Sequence, residues 1–146
     1  KYDLSEVVAI VAGFIFGPVS GSLVILIKSL LFFLSGKNTT GWVGLLASIL
    51  SGFALVWGTT VWFHLKKSTL SKFMGILLGI LSLTIIMTVF NYFFLLPWYG
   101  IPSNEIGTYL TTAIIPFNLI KGGISTALSV GVFDLVKSRI NSIINK

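Results

Sequence analysis

The chain has 146 residues, of which 55% are hydrophobic and 10% charged, with a mean hydropathy of +0.99. That composition excludes a water-soluble globule, and with no cysteine there is no disulfide, thiolate metal site or cysteine nucleophile. The formal charge of +6 raises nucleic acid as a partner. However, the basic residues lie at the ends of apolar runs or inside them, so the expected partner is a lipid bilayer and no nucleic acid.

The predicted fold is all-α: an integral membrane helical bundle, one domain over residues 1–146, with five transmembrane helices in this chain. Residues 1–6, KYDLSE, open a helix, with Asp3 or Ser5 as N-cap and Glu6 favourable in the first turn. A short apolar helix to about Phe16 meets GPVSG at 17–21, and an apolar run resumes over 22–34 with one charge, Lys28. One kinked span over 7–34 and two short helices joined by a tight turn both fit these lengths. Gly13, Gly17 and Gly21 fall four apart, which would admit a neighbouring backbone if the helix ran through them. Lys28 lies near the end of its run, where it either snorkels to the headgroups or faces the bundle.

Residues 35–40 form a polar loop, and 41–63 is an uncharged span rich in small residues and tryptophan. The 64–72 loop carries Lys66, Lys67 and Lys72 and is assigned to the cytoplasm. The span 73–96 has Gly75 and Gly79 at small-xxx-small spacing and one amide, Asn91. Residues 97–108, with Pro, Gly, Trp and Tyr, read as an interfacial loop and an outer gate. The last span, 109–133, holds Asn118 and a single charge, Lys121, and runs inward to Lys137, Arg139 and Lys146. Pro116 suits a first helical turn, which would place Lys121 only about 7–8 Å into its helix.

Reading 3–34 as two helices puts six of the ten Lys/Arg in cytoplasmic segments, Lys1 and Lys37 outside, and Lys28 and Lys121 within spans. The residue-1 end is then outside and the C-terminus cytoplasmic. Asn91, Asn118, Lys121, Lys28 and the Tyr2-Asp3 turn all fall in the outer half.

A lysine in mid-span costs about 2.5–3.5 kcal/mol, so Lys121 needs a carboxylate, helix-end carbonyls or a ligand. Asn91 and Asn118 each suit an interhelical hydrogen bond equally well. Taken together, two amides and an ammonium among aromatic walls suit a neutral, hydroxyl-bearing aromatic ligand. His64 reads as an interfacial structural residue, and Asp134 as solvated or paired with Lys137 or a neighbour. There is no Ser/His/Asp set, no pair of carboxylates on one helix and no metal cluster, and Gly36-Lys37-Asn38 departs from a phosphate loop. No enzyme is expected.

KYDLSEVVAIVAGFIFGPVSG at 1–21 followed by Lys28, NYFFLLP at 91–97 and PFNLIKG at 116–122 occur in that order. They resemble three segments of the riboflavin-specific substrate-binding (S) components of energy-coupling factor (ECF) transporters, a resemblance that covers essentially the whole chain. It implies a six-helix bundle whose first helix lies upstream of residue 1, and it favours two helices over 3–34. It implies riboflavin as a transported ligand rather than a cofactor, held in a pocket open to the outside of a bacterial plasma membrane. Asn91, Asn118 and Lys121 match the family's polar positions around the ligand, with Tyr2, Asp3 and Lys28 as further carry-overs. The implied partners are a transmembrane coupling subunit and two ATPase subunits, which would hydrolyse the ATP. The family's docking face includes alanines of the first helix, outside these residues. Three alternatives remain open: an S component for another vitamin, a structural membrane subunit, and a small membrane enzyme with its chemistry upstream.

Overall fold

Gly17 settles the choice between one kinked span and two helices. Its φ of +101° lies in the left-handed region that glycine tolerates. Its N–H closes the preceding helix on Gly13 O at 3.0 Å, and Pro18 opens the next, where its missing N–H costs nothing. The result is a helical hairpin, α1 (Ser5–Phe16) and α2 (Pro18–Leu34). Gly21 lets the two arms close, because a Cβ there would stand 2.6 Å from Ala9 O. The two-helix reading therefore holds. This computed structural model describes residues 4–36, 40–66 and 68–144, so Tyr2 and Asp3 lie outside the described residues.

Three longer runs follow. α3 (Gly41–Lys66) is one helix, and α4 (Thr69–Phe90) begins at a Ser68 cap whose side chain accepts from Ser71 N–H while Ser71 Oγ accepts from Ser68 N–H. α4 continues through a π turn, Asn91–Leu95, into a last turn, α5 (Leu96–Trp98). After a short turn at Tyr99–Gly100, α6 (Ser103–Tyr109) passes through a second π turn, Leu110–Ile114, into α7 (Ile115–Ile144). The α3, α4–α5 and α6–α7 runs are each long and apolar enough to cross a bilayer, and α1 and α2 are shorter apolar helices.

Both π turns are followed immediately by a residue and then a proline, Pro97 in one case and Pro116 in the other. A proline inside an α-helix has no N–H to donate and its ring strikes the carbonyl four residues back. A wider turn relieves both demands and lets the helix continue, closed by Leu96 N–H to Asn91 O and Ile115 N–H to Leu110 O. Two expectations are corrected as a result. The 97–108 segment is largely helical rather than an extended loop. Pro116 sits early in α7, but α7 continues a run from Ser103, so Lys121 lies 18 residues into it, roughly 25 Å rather than 7–8 Å.

α3 and α4 pack backbone to backbone. A Cβ at Gly58 would meet Gly79 Cα at 2.5 Å, and one at Gly75 would strike the Thr59 carbonyl oxygen. The small-xxx-small pair of α4 thus does what its spacing predicts. Towards the basic end, Phe14 of α1, Phe63 of α3 and Phe133 of α7 form a triangle with ring centroids 5.2–5.6 Å apart. Ile10, Ile25, Leu55 and Leu83 fill the middle of the core. The outer faces stay apolar, with Leu77, Leu81 and Ile85 among many exposed residues, as a bilayer-covered surface requires.

Candidate ligand cavity

Five helices leave a cavity of about 460 Å³ above this core. α1 contributes Glu6, and α2 contributes Lys28, Ser29 and Phe32. α3 adds Ser48 and Ser51, α4 adds Met87, and α7 adds Lys121, with Leu95 and Tyr99 above. The volume is in the range of small-molecule sites, and the lining combines a polar cluster with apolar walls.

Glu6 is the hub of the polar cluster, with its side chain 3% exposed. Its Oε1 lies 2.7 Å from Lys121 Nζ and 3.9 Å from Lys28 Nζ. Lys121 also donates to Ser51 Oγ at 3.3 Å, tying α7 to α3. Ser29 and Ser48 hydroxyls share a hydrogen bond of 3.1 Å between α2 and α3. Glu6 Oε2 is sealed from solvent and has no hydrogen-bond partner among the described residues. That oxygen is an unsatisfied acceptor inside the packed cluster, out of reach of a water-sized molecule in the cavity.

Sequence reasoning missed Glu6 as a site residue and assigned it only to a helix start. A signal was nonetheless present. The chain has four acidic residues, Asp3, Glu6, Glu105 and Asp134, for two intramembrane lysines. Of these, Glu6 is the one that opens an uninterrupted apolar helix.

Lys28 and Lys121 do meet at one cavity, and Lys28 faces the bundle rather than the headgroups, its side chain 13% exposed. The amides behave differently. Asn91 Nδ2 donates to Met87 O at 2.6 Å and Asn118 Nδ2 donates to Ile114 O at 2.8 Å, each one turn back on its own helix. Both are buried, and neither is among the residues that line the cavity. Asn91 lies on α4's continuation between two that do, Met87 and Leu95, and its Oδ1 has no partner among the described residues. Asn118 precedes Lys121 by three residues, so it follows the same side of α7. No group of three or more metal-ligating side chains occurs among the described residues.

At the opposite end, His64 Nε2 donates to Gly13 O at 2.9 Å and holds α3 against the α1–α2 turn, a structural role as expected. Asp134 pairs with a neighbour, Lys72, at 2.7 Å.

Comparison with known proteins agrees with this architecture. A family model described as "ECF transporter, substrate-specific component" matches residues 1–133. A Staphylococcus aureus protein named riboflavin transporter RibU is 34% identical over 126 residues, covering 82% of this chain and 66% of that protein. A Bacillus subtilis protein named riboflavin transporter FmnP is 32% identical over 144 residues, covering 93% of this chain and 74% of its own length. The chain thus spans about two thirds to three quarters of these relatives. A solved structure described as the S component of a bacterial ECF transporter superimposes with a TM-score of 0.76 at 33% identity, covering 99% of this chain and 79% of that one.

Proposed function

The chain belongs to the substrate-specific components of ECF transporters, and from that premise we propose that it captures riboflavin from outside the cell in the cavity around Glu6, Lys28 and Lys121. The observation that carries this reading is the cavity's division into a polar cluster of charged and hydroxyl groups and an apolar wall of Phe32, Met87, Leu95 and Tyr99. A flavin has matching parts: a flat aromatic ring system for the wall, and a polyhydroxyl chain with imide and carbonyl edges for the cluster. The names of the S. aureus and B. subtilis relatives support the same ligand.

Capture makes and breaks no covalent bond. Apolar burial of the ring supplies affinity, while Lys28, Lys121 and Ser51 offer donors to the ligand's hydroxyl and carbonyl oxygens. Asn91 and Asn118 contribute by swinging from their own carbonyls onto the ligand, which would also satisfy the vacant Asn91 Oδ1. Riboflavin is cargo here, not a cofactor. Release into the cytoplasm requires a change of state that a passive site does not supply. That change would come from a transmembrane coupling subunit and two ATPase subunits, in a bacterial plasma membrane with the cavity facing outwards.

The test is titration of the detergent-solubilised protein with riboflavin, after removal of any bound flavin, followed by flavin fluorescence. Saturable binding is expected, with Lys121→Ala and Asn118→Ala each weakening it by roughly tenfold, the loss of one buried hydrogen-bond partner. A folded protein that does not bind riboflavin but binds another vitamin would overturn the ligand and keep the family.

A further inference from the structure

A second cavity, of about 270 Å³, opens at the basic end, lined by Phe14 and Ile15 of α1, Phe63 and His64 of α3, and Phe133, Val136, Lys137 and Ile140 of α7. Those four α7 residues fall at i, i+3, i+4 and i+7, so they form one helix face. α1 reaches its end at Phe16, and over these last turns of α7 the face forms an open groove with an apolar floor.

The charges at this end are unevenly used. Lys72 is held by Asp134 at 2.7 and 3.1 Å, and Lys66 lies over the Trp62 ring at 5.5 Å. The carbonyl of Gly13 only accepts, so His64 commits its Nε2–H to it. Lys137 is exposed at the groove's rim and has no carboxylate partner among the described residues. An apolar trough ending at one uncommitted ammonium is complementary to an acyl chain ending at a phosphate.

We propose that this groove binds one molecule of an anionic glycerophospholipid of the phosphatidylglycerol type, with an acyl chain over Phe133, Val136 and Ile140 and the phosphodiester on Lys137. A choline headgroup would set its own cation beside Lys137, whereas a glycerol headgroup does not. The site lies at the far end of the core from Glu6 and requires no particular cargo.

The test offers the purified protein equal amounts of phosphatidylglycerol and phosphatidylcholine in detergent and measures retained lipid by native mass spectrometry. The expected result is retention of phosphatidylglycerol over phosphatidylcholine by roughly fivefold, the effect of one basic residue near an anionic lipid. Lys137→Gln should abolish the preference, and Lys66→Gln, which removes a charge at the same end outside the groove, should keep it. Ile140→Trp, which fills the groove without altering charge, should lower retention of both lipids. Circular dichroism and thermal unfolding in detergent check that each variant is folded. The proposal is overturned by equal retention of both lipids, by no retention, by a Lys137→Gln protein that behaves like the unsubstituted one, or by an equal loss in Lys66→Gln. Unchanged retention in Ile140→Trp overturns the groove as the seat of the chain.

Discussion

Glu6 stands between two ammonium groups that the membrane interior would otherwise penalise. Truncating it to alanine leaves Lys28 and Lys121 facing each other, and removing one partner of a buried pair costs about 3–5 kcal/mol in comparable settings. Thermal unfolding in detergent should show Glu6→Ala as strongly destabilised, and Glu6→Ala/Lys121→Met as recovering more than half of the loss. Strictly additive effects of the two substitutions would mean that the 2.7 Å contact contributes nothing. At this scale the sequence was readable on one side only. A lysine in an apolar run announces that it needs a partner, but which carboxylate provides it depends on α1 lying against α7, a contact between opposite ends of the chain that no local pattern encodes. The conformations of Asn91 and Asn118 were likewise not readable. An amide in a span can bond across helices or back onto its own carbonyl, and residue type does not choose between these.

At the scale of elements, glycine acts in two opposite ways. Gly75 is pressed against the Thr59 backbone, where the facing atom is a carbonyl that cannot move aside. Gly75→Ala should therefore lower stability by about 1–3 kcal/mol through overpacking. Gly131, in the middle of α7, has open space where a Cβ would point. Gly131→Ala should leave stability unchanged or raise it by about 0.5–1 kcal/mol, because alanine restricts the unfolded chain and favours the helix. Opposite signs in the same unfolding assay would establish the α3–α4 seam, and equal effects would dissolve it. The four-residue spacing of Gly75 and Gly79 made that seam legible from sequence. The same spacing at Gly13, Gly17 and Gly21 misleads if read as one helix, since the middle glycine is the turn, Gly21 brings the arms together and Gly13 makes room for Thr60 of α3. The helices above Pro97 and Pro116 were not legible, because proline ordinarily marks a helix start or stop and nothing in a single sequence announces a π turn that accommodates it.

For the whole molecule, the basic residues gather at the end where α3 meets α4 and α7 terminates, and on the positive-inside rule we propose that end as the cytoplasmic one. These 146 residues hold no cysteine, so a single thiol introduced among them can report the orientation. Asn104→Cys, in the exposed first turn of α6, should react with a membrane-impermeant maleimide on intact cells. Ser138→Cys, near the end of α7, should react only after permeabilisation. The reverse pattern would invert the topology and put the Glu6 cavity towards the cytoplasm. The three long spans were legible from hydropathy, since the bilayer imposes length and composition on them, whereas length left the division of α1 from α2 open and only the charge count and the resemblance favoured it. The cavity was legible as a half of the molecule rather than as a place, because its floor is set by how the Phe14, Phe63 and Phe133 triangle and the Gly75 seam close the bundle beneath it.

The paired π turns have a further effect on helix phase. Each turn closed from i to i+5 takes up one residue more than an α turn would, without advancing the azimuth of the adjoining helix by the usual step. α7 after Leu110–Ile114 and α4 before Asn91–Leu95 therefore face as they would with one residue fewer between them and the short helical pieces that cap the cavity. The extra residue in each turn is thus absorbed without turning Lys121 and Met87 away from the cavity that they line together with Leu95 and Tyr99.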